Sequence, residues 1–257
     1  MAADRSPTAR LPFADGRPPH LPCGPGDIAA DVLVPGDPDR VALLRDMLDD
    51  VRDFGRRREF ALITGRYRGH PLSICSGGIG GPSTEIALVE LAYLGAKRII
   101  RIGGMSALVP EIATGSYLIP DAAIGATGVG ALYAGQGFEA RADAGLAASL
   151  RAAATALGLK AHHGTVASTD SYYLGQDRPL PNGREAAFLD GFARDGAVGV
   201  EMEAQVILSV ANALGLRAAC LLGVHGNRAT DDWLTDYEPT QRNLLHVAGR
   251  ALGGLQD

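Results

Sequence analysis

The chain has 257 residues, of which 46% are hydrophobic, so it holds enough apolar material for the core of one large domain. Its formal charge of −5 and its lack of long basic runs argue against a nucleic acid partner. No stretch of about 18 consecutive apolar residues occurs, so neither a membrane-spanning helix nor a membrane partner is expected.

The N-terminal segment is rich in proline and has no apolar stretch of the kind that a signal peptide needs. We expect residues 1–19 to form a flexible arm and residues 20–257 to form a single domain. The three cysteines, Cys23, Cys75 and Cys220, fit neither a zinc pattern nor an even set of disulfides. Reduced thiols and a cytoplasmic protein are therefore expected.

The first predicted strand covers residues 32–34 and ends in a turn of proline, glycine and aspartate. Asp37 is a suitable N-cap for a helix over residues 38–48, because its carboxylate can accept a backbone N–H. Arg40 lies in the first turn of that helix, where a cation opposes the helix dipole. Such a local conflict often marks a functional residue, although a solvated arginine is the alternative.

Residues 73–108 carry the strongest pattern: a strand, a glycine turn, a helix, a second strand and a second glycine turn. Two strand-to-glycine units so close together favour a ligand site at the carboxyl ends of parallel strands. Arg101 lies near the end of the second strand, just before the predicted turn at Gly103 and Gly104. Because an unpaired buried charge is costly, Arg101 should meet an anion or a buried partner.

Strands alternate with helices along the rest of the chain, with an early β-hairpin. This order predicts a single-domain α/β fold, in which a mixed central sheet is flanked by helices on both faces. The predicted strands are residues 60–67, 71–75, 98–102, 115–120, 163–168, 198–200 and 218–224; the helices are 82–94, 143–157, 184–194, 204–214 and 239–252; a polar loop covers 169–178 and a polar turn 225–228.

Polar side chains recur just after apolar strands, where the strand ends of an α/β sheet can converge on one crevice. Arginines beside glycine amides suit phosphate, glutamates suit sugar hydroxyls, and Gln near Arg suits the edge of a flat base. These groups together indicate a nucleoside or nucleotide ligand. They are Gly36 with Arg40, Arg101 with Gly103, Tyr172 with Gln176 and Arg178, Glu201 with Glu203, and Asn227 with Arg228.

The same residues also have explanations that involve no ligand. The Gly78-x-Gly80-x-x-Ser83 turn falls short of the dinucleotide fingerprint, which argues against a nicotinamide cofactor. Glu201 and Glu203 alone could be carboxylates that favour a helix start.

Six stretches resemble the nucleoside phosphorylases of the bacterial hexameric type, and within that family the uridine phosphorylases. The GQDR loop and the final Asn-Arg pair favour a pyrimidine enzyme, and the aspartate that purine members carry near Gly226 is missing. The stretches are VPGDPDRV (34–41), RREF (57–60), CSGGIGGPSTEIALVELAYLGAKRIIRIG (75–103), ASTDSYYLGQDR (167–178), GVEMEA (199–204) and GVHGNR (223–228).

The resemblance implies a role for each matching residue. Phosphate would be held by Gly36, Arg40, Arg101, Gly104 and, from a neighbouring subunit, Arg58. The ribose would be bound by Met202, Glu203 and a neighbouring subunit's His20. The base would be bound by Tyr172, Gln176, Arg178 and Arg228. The catalytic set would be Arg101, Glu203, Gln176 and Arg178.

The implied reaction is phosphorolysis of uridine to uracil and α-D-ribose 1-phosphate, in nucleoside catabolism and pyrimidine salvage. Phosphate is a co-substrate and no cofactor is implied, but Glu59, Ile79 and Ser83 match positions that hold a monovalent cation, such as K⁺, at a dimer interface. Roles for two residues across an interface require at least a dimer, and the family suggests a homohexamer.

This chain departs from the family at two places. The usual Gly-Thr-Thr-Gly loop reads Gly-Gly-Met-Ser over residues 103–106, so the threonine that contacts phosphate and ribose becomes Gly104, with Ser106 a candidate substitute. His225 and Gly226 replace aliphatic residues of the base pocket. A purine or atypical nucleoside phosphorylase, a nucleoside hydrolase and a weakly catalytic nucleoside-binding protein are the alternatives.

Overall fold

In the computed structural model, residues 7–13 and 15–255 are described. Within these ranges the chain forms ten strands and seven helices, together with a 3₁₀ turn at Leu174–Gln176. The strands are β1 (Asp31–Pro35), β2 (Asp49–Arg57), β3 (Phe60–Tyr67), β4 (His70–Cys75), β5 (Arg98–Ala107), β6 (Tyr117–Ala126), β7 (Ala161–Thr169), β8 (Ala197–Glu201), β9 (Arg217–Asn227) and β10 (Asp232–Trp233). The helices are α1 (Pro38–Arg45), α2 (Gly81–Tyr93), α3 (Gly128–Ala134), α4 (Ala144–Ala156), α5 (Leu189–Arg194), α6 (Ala204–Ala213) and α7 (Glu238–Gly253).

All the strands belong to one mixed sheet, in the order β10-β9-β6-β7-β8-β5-β1-β4-β3-β2, and β9 also pairs with β5. This extra pairing closes β5, β9, β6, β7 and β8 into a ring, from which β1, β4, β3 and β2 extend as an open sheet. The parallel pairs include β1 with β5 and β5 with β9, whereas β6 with β9 is antiparallel. The predicted single-domain α/β fold with a mixed sheet is confirmed.

The core lies on both faces of the sheet because successive strand residues point to opposite sides. Ile99 of β5 packs in a cluster with α2 and α6, whereas the next residue, Ile100, packs in a second cluster with α4 and α7. Arg101 follows the same alternation and therefore points to the face that α2 and α6 cover. The alternation of side chains along β5 therefore places this charged side chain in the buried layer.

β5 is the strand that positions the ligand cavity. Along one edge it pairs with β9 over its whole length. Along the other edge it pairs with β1 up to Ile102 and with β8 only from Ser106. Gly103, Gly104 and Met105 therefore have a registered partner on β9 alone, and the cavity opens beside them.

The predicted glycine turn at residues 103–104 is wrong, and the predicted polar turn at 225–228 is wrong for residues 225–227. These residues belong to β5 and β9, with Gly104 opposite Gly223 and Ser106 opposite Gly226, and Arg228 alone lies in the turn that follows β9. Small residues are needed here because neighbouring side chains fold back onto the strand, and a strand glycine often marks such a close approach.

Three further elements differ from the predictions. β2 was not predicted, since it is a charged, largely exposed edge strand whose register with β3 is irregular. The first helix ends at Arg45, earlier than predicted, and is N-capped by Asp37 as predicted. The helix expected over 184–194 begins only at Leu189, because the Asp177 carboxylate accepts the N–H groups of Phe188 and Leu189.

Part of the predicted arm is described, and residues 1–6 and 14 lie outside the described ranges, as do residues 256–257 of the predicted domain. Phe13 stacks on Tyr93 with ring centroids 4.0 Å apart, and Arg57 donates a hydrogen bond to the Pro19 carbonyl. The boundary at residue 19 stays a prediction. No helix in the described part of the chain is long and apolar enough to cross a membrane.

Candidate active site

A cavity of about 320 Å³ opens where β5 loses its second neighbour. Five other parts of the chain converge there: the β1–α1 turn, the β4–α2 loop, the 3₁₀ segment after β7, the β8–α6 junction and the β9–β10 hairpin. The lining residues are Gly36, Asp37, Arg40, Ile79, Arg101, Gly103, Gly104, Met105, Ser106, Tyr172, Gln176, Arg178, Val200, Glu201, Met202, Glu203, His225 and Trp233. Four of the five residue groups that were expected to converge line this cavity, whereas the Asn227–Arg228 pair does not.

Arg101 is 4% exposed and is held by two carboxylates. Its Nε donates to Oε2 of Glu201 at 2.9 Å, and its Nη2 contacts carboxylate oxygens of both Glu201 and Glu203. Burial disfavours the charged guanidinium, but Glu203 and Glu201 outweigh this effect and raise the pKa of Arg101. These bonds use Nε and Nη2, so Nη1 remains beside Gly103 for a ligand.

Glu201 is an orienting residue in this network. Its carboxylate accepts hydrogen bonds from Ser168 and from the backbone N–H groups of Glu203 and Ala204, in addition to the one from Arg101. The acceptor capacity of the carboxylate is therefore used inside the protein. Sequence analysis grouped Glu201 with Glu203 after a predicted strand but did not predict this orienting role.

Glu203 is the carboxylate that is available to a ligand. It precedes α6, is 6% exposed, and accepts a hydrogen bond from the Gly80 N–H at 2.6 Å. Burial raises its pKa, with Glu201 acting in the same direction and Arg101 opposing it. Because Met202 and Glu203 line the cavity next to Arg101, a sugar hydroxyl there could donate to the carboxylate.

Arg40 is the second buried cation of the cavity. Its Nε donates to Gln241 and its Nη1 to the Ile102 carbonyl, both at 3.2 Å, which leaves Nη2 for a ligand. Burial lowers the pKa of Arg40 to about 10, and the charge of Arg101 acts in the same direction. Two guanidinium groups close enough to repel each other favour an anion between them.

Gln176 and Arg178 are linked at another part of the wall. Nη1 of Arg178 donates to Oε1 of Gln176 at 2.6 Å and to the Tyr172 carbonyl at 2.9 Å. The Arg178 guanidinium also lies 3.9 Å from the centre of the Tyr172 ring. Since Oε1 of the buried Gln176 is occupied, its amide NH₂ group can donate to a carbonyl of a flat ligand.

Arg228 does not line the cavity. It is exposed, and its Nη2 donates to the Asp177 carbonyl at 3.0 Å, which braces the segment that carries Gln176 and Arg178. Within this chain Arg228 supports that segment, and its predicted contact with the base stays a prediction.

Arg58 and His20 also lie outside the cavity of their own chain. Arg58 occupies the turn between β2 and β3 with a φ of +55° and is exposed. His20 donates or accepts through Nδ1 at 2.6 Å from Oε1 of Glu90. Their roles across a subunit interface stay predictions.

The three residues assigned to a monovalent cation come from two adjacent segments. The Ser83 hydroxyl donates to the Glu59 carboxylate at 2.8 Å or to the Gly77 carbonyl at 2.7 Å, and Ile79 is 76% exposed nearby in sequence. A carboxylate, a hydroxyl and backbone carbonyls are hard oxygen donors, so this set fits such a cation. Its binding stays a prediction.

Sequence patterns did not assign a role to Trp233 or His225, and both line the cavity. Trp233 follows a polar turn and gave no signal beyond being the one tryptophan of the chain. His225 was recognised only as a departure from the family. A Cβ added at Gly104 would lie 2.5 Å from its Nδ1, so the imidazole covers the glycine.

Comparison with known proteins agrees with this geometry. Residues 31–252 match the family described as the phosphorylase superfamily. The chain is 41% identical to a uridine phosphorylase of Thermococcus kodakarensis over 223 residues, which cover 85% of this chain and 80% of the relative. It is 36% identical to a uridine phosphorylase of Escherichia coli over 83% of this chain and 87% of the relative. A guanosine phosphorylase of Halorubrum lacusprofundi is 31% identical over 81% of this chain and 83% of the relative.

Proposed function

Because the chain belongs to the phosphorylase superfamily, we propose that it is a pentosyltransferase that cleaves uridine with phosphate to give uracil and α-D-ribose 1-phosphate. One observation carries the proposal. A single cavity holds two buried arginines with unused N–H groups, a buried carboxylate and a Gln–Arg pair. These groups match the phosphate, the sugar and the base of the two substrates.

Phosphate would bind between Arg40 and Arg101, with backbone N–H groups near Gly36 and Gly104 as further donors. The charges of two guanidinium groups and a phosphate dianion balance each other, and the hydrogen bonds between them are charge-assisted. Arg58 of a neighbouring subunit would add a third cation. A hydrolase uses water in place of phosphate and needs no such cluster of cations. The cluster therefore favours a phosphorylase over a hydrolase.

The ribose would lie over Met202, with its hydroxyls donating to Glu203. As the bond from C1′ to the base lengthens, positive charge develops on the sugar and the bound phosphate dianion stabilises it. Phosphate then forms the new bond to C1′, so no covalent enzyme intermediate is needed. The arrangement accelerates the reaction by orientation and by electrostatic preorganisation.

The departing base would be stabilised by Gln176 and Arg178. When the glycosidic bond breaks, its electron pair stays on the uracil ring and spreads to the carbonyl oxygens. The amide NH₂ of Gln176 and the guanidinium of Arg178 are donors suited to those oxygens. Tyr172 would pack against the ring, and Arg228 would hold the loop in place through Asp177.

A purine nucleoside is the second candidate substrate. His225 and Gly226 replace the aliphatic residues expected beside the base, and one relative is named guanosine phosphorylase. The absence of the purine-type aspartate near Gly226 favours uridine instead.

We further propose a homohexamer built from dimers, a cytoplasmic location and a role in pyrimidine salvage. Support for the oligomer comes from Arg58 and His20, which do not line the cavity of their own chain. Support for the location comes from the free, buried state of Cys23, Cys75 and Cys220.

The test is base release from uridine, thymidine, inosine and guanosine, each with and without inorganic phosphate. Phosphate-dependent release of uracil is expected. Release that is equally fast without phosphate would refute phosphorolysis, and turnover of inosine or guanosine without uridine would refute the pyrimidine preference. Binding of uridine without any turnover would favour a nucleoside-binding protein.

A further inference from the structure

Gly104 and His225 fit together as a pair on neighbouring strands. A Cβ added to Gly104 would lie 2.5 Å from Nδ1 and 2.6 Å from Cε1 of His225. Real Cβ atoms do not approach other atoms so closely, so the imidazole occupies the volume that a side chain at residue 104 would need. Both residues line the cavity.

The imidazole ring is held in this position. On one side it stacks on Tyr237, with ring centroids 5.0 Å apart and an interplanar angle of 24°. Its backbone belongs to β9, which pairs with β5, and the Leu234 N–H donates to the His225 carbonyl. The ring therefore cannot turn away from Gly104 without breaking the stack.

The two ring nitrogens have different surroundings. Nε2 is buried and has no hydrogen-bond partner among the described residues. Nδ1 and Cε1 are the ring atoms closest to Gly104, and both residues line the cavity. An orphaned buried N–H is rarer than an orphaned acceptor. We therefore assign the proton of the neutral ring to Nδ1, where a ligand can accept it.

We propose that His225 takes the place of the side chain that Gly104 lacks, and that its Nδ1–H donates a hydrogen bond to an oxygen of the bound substrates. The acceptor is an oxygen of the phosphate or of the adjacent sugar. This inference rests on the proposed phosphorolysis and names a substrate-contacting residue within the same site.

A neutral donor suits this position. Burial, and then the charge of Arg40, lower the pKa of His225 to about 4, so the ring is uncharged near neutral pH. It therefore adds a hydrogen bond without adding a third positive charge beside Arg40 and Arg101.

The first test compares His225→Leu with His225→Asn. Leucine keeps much of the volume but removes the donor, and the loss of one neutral hydrogen bond should raise the affected KM about threefold to tenfold. Asparagine can place an amide N–H near the position of Nδ1 and should restore the wild-type KM to within about twofold. A change in the KM for phosphate assigns the contact to phosphate, and a change in the KM for uridine assigns it to the sugar.

The second test is a double-mutant cycle. Gly104→Thr alone should lose at least about tenfold in kcat/KM, because its side chain collides with the imidazole. Gly104→Thr combined with His225→Ala should recover activity, because the hydroxyl then has both space and access. His162→Asn is the matched control, since His162 also has a buried Nε2 without a partner but does not line the cavity.

Unchanged KM values in His225→Leu, or full activity of Gly104→Thr alone, would overturn the inference. Inorganic phosphate and uridine are also titrated calorimetrically into wild type and His225→Leu. If wild type binds them but turns over no nucleoside, the proposed function fails. The inference is then decided by whether His225→Leu weakens binding of either molecule at least threefold.

Discussion

Arg101 contacts the buried carboxylates of Glu201 and Glu203, and in the proposed reaction its Nη1 would also bind phosphate. Arg101→Ala is expected to lower kcat/KM by roughly 10²–10³, as for other groups that stabilise a charged transition state. Steady-state kinetics on the folded variant check this value.

Arg98→Ala is the control for this substitution. Arg98 lies on the same strand and forms a buried ion pair with Asp31, but it does not line the cavity. It should lower thermal stability and leave kcat/KM of the folded protein near the wild-type value. If both variants lose activity equally, Arg101 acts through stability alone.

Gln176 is expected to matter most when the base leaves. Gln176→Glu places a carboxylate where negative charge grows on uracil, so kcat should fall about 10²-fold or more. Gln136→Glu makes the same change in net charge at an exposed position and should be neutral. An unchanged kcat for Gln176→Glu would remove this residue from the base site.

The histidine at residue 225 should also make stability depend on pH. An unfolded histidine binds a proton near pH 6.5, whereas the folded His225 does so only near pH 4. The unfolded state thus binds more protons between these values, and the free energy of unfolding falls as pH drops through this window. The difference corresponds to roughly 3 kcal/mol.

Denaturant unfolding of wild type and His225→Asn at pH 7 and pH 4.5 measures this effect. The variant should lose less stability on acidification, since asparagine does not titrate. His163→Asn, at an exposed histidine, should lose as much as wild type. An equal loss in all three proteins would mean that His225 does not contribute.

Among the elements, β1, α4 and the β3–β4 hairpin were predictable because their signals are local. Asp37 caps α1 with the hydrogen bond that its position predicts, and Asp143, predicted as the first residue of the helix, caps α4. Such signals depend on a few neighbouring residues and do not require knowledge of the tertiary fold.

The extension of β5 and β9 through the cavity was not predictable in the same way. Glycine residues often mark the end of a strand in a sequence. Gly103, Gly104 and Gly226 remain in extended strands here because β5 pairs with the distant β9. The charged β2 likewise exists through its pairing with β3. For the site, the family resemblance predicted residues of which most line one cavity, and their roles stay predictions. The packing of His225 over Gly104 was not predictable, because it is a contact between residues of separate strands.

The β9–β10 hairpin offers a spectroscopic prediction. It carries the one tryptophan of the chain, Trp233, which is 57% exposed at the cavity wall beside Gly226. Uracil or uridine should therefore change the intrinsic tryptophan fluorescence on binding. Trp233→Phe should remove the signal and preserve turnover, whereas an unchanged spectrum at saturating ligand would show that the hairpin does not meet the base.

At the scale of the whole molecule, the proposal requires that each cavity is completed by a second subunit. Arg58→Ala and Arg101→Ala should each be nearly inactive as homo-oligomers. If equal amounts of the two variants exchange subunits randomly, about half of the dimers contain one subunit of each kind. Such a mixed dimer has one cavity with both arginines and one cavity with neither. The mixture should therefore regain about one quarter of the wild-type number of active sites.

Activity after unfolding and refolding the two variants together, compared with the same variants refolded separately, measures this complementation. Recovery near zero would place Arg58 outside the reaction, or confine its action to its own chain.

The closed ring of strands also has a consequence for how the protein folds. Arg101 pairs with a residue 100 positions later, and the Gly80 N–H with one 123 positions later. Contacts across such distances carry a large loop-closure entropy and form slowly. A chain that is still being synthesised can form the early hairpin and α2, but at that stage Arg101 lacks Glu201 and Glu203, and Arg40 lacks Gln241. Catalytic competence should therefore be the last property to appear, well after the helical signal has recovered.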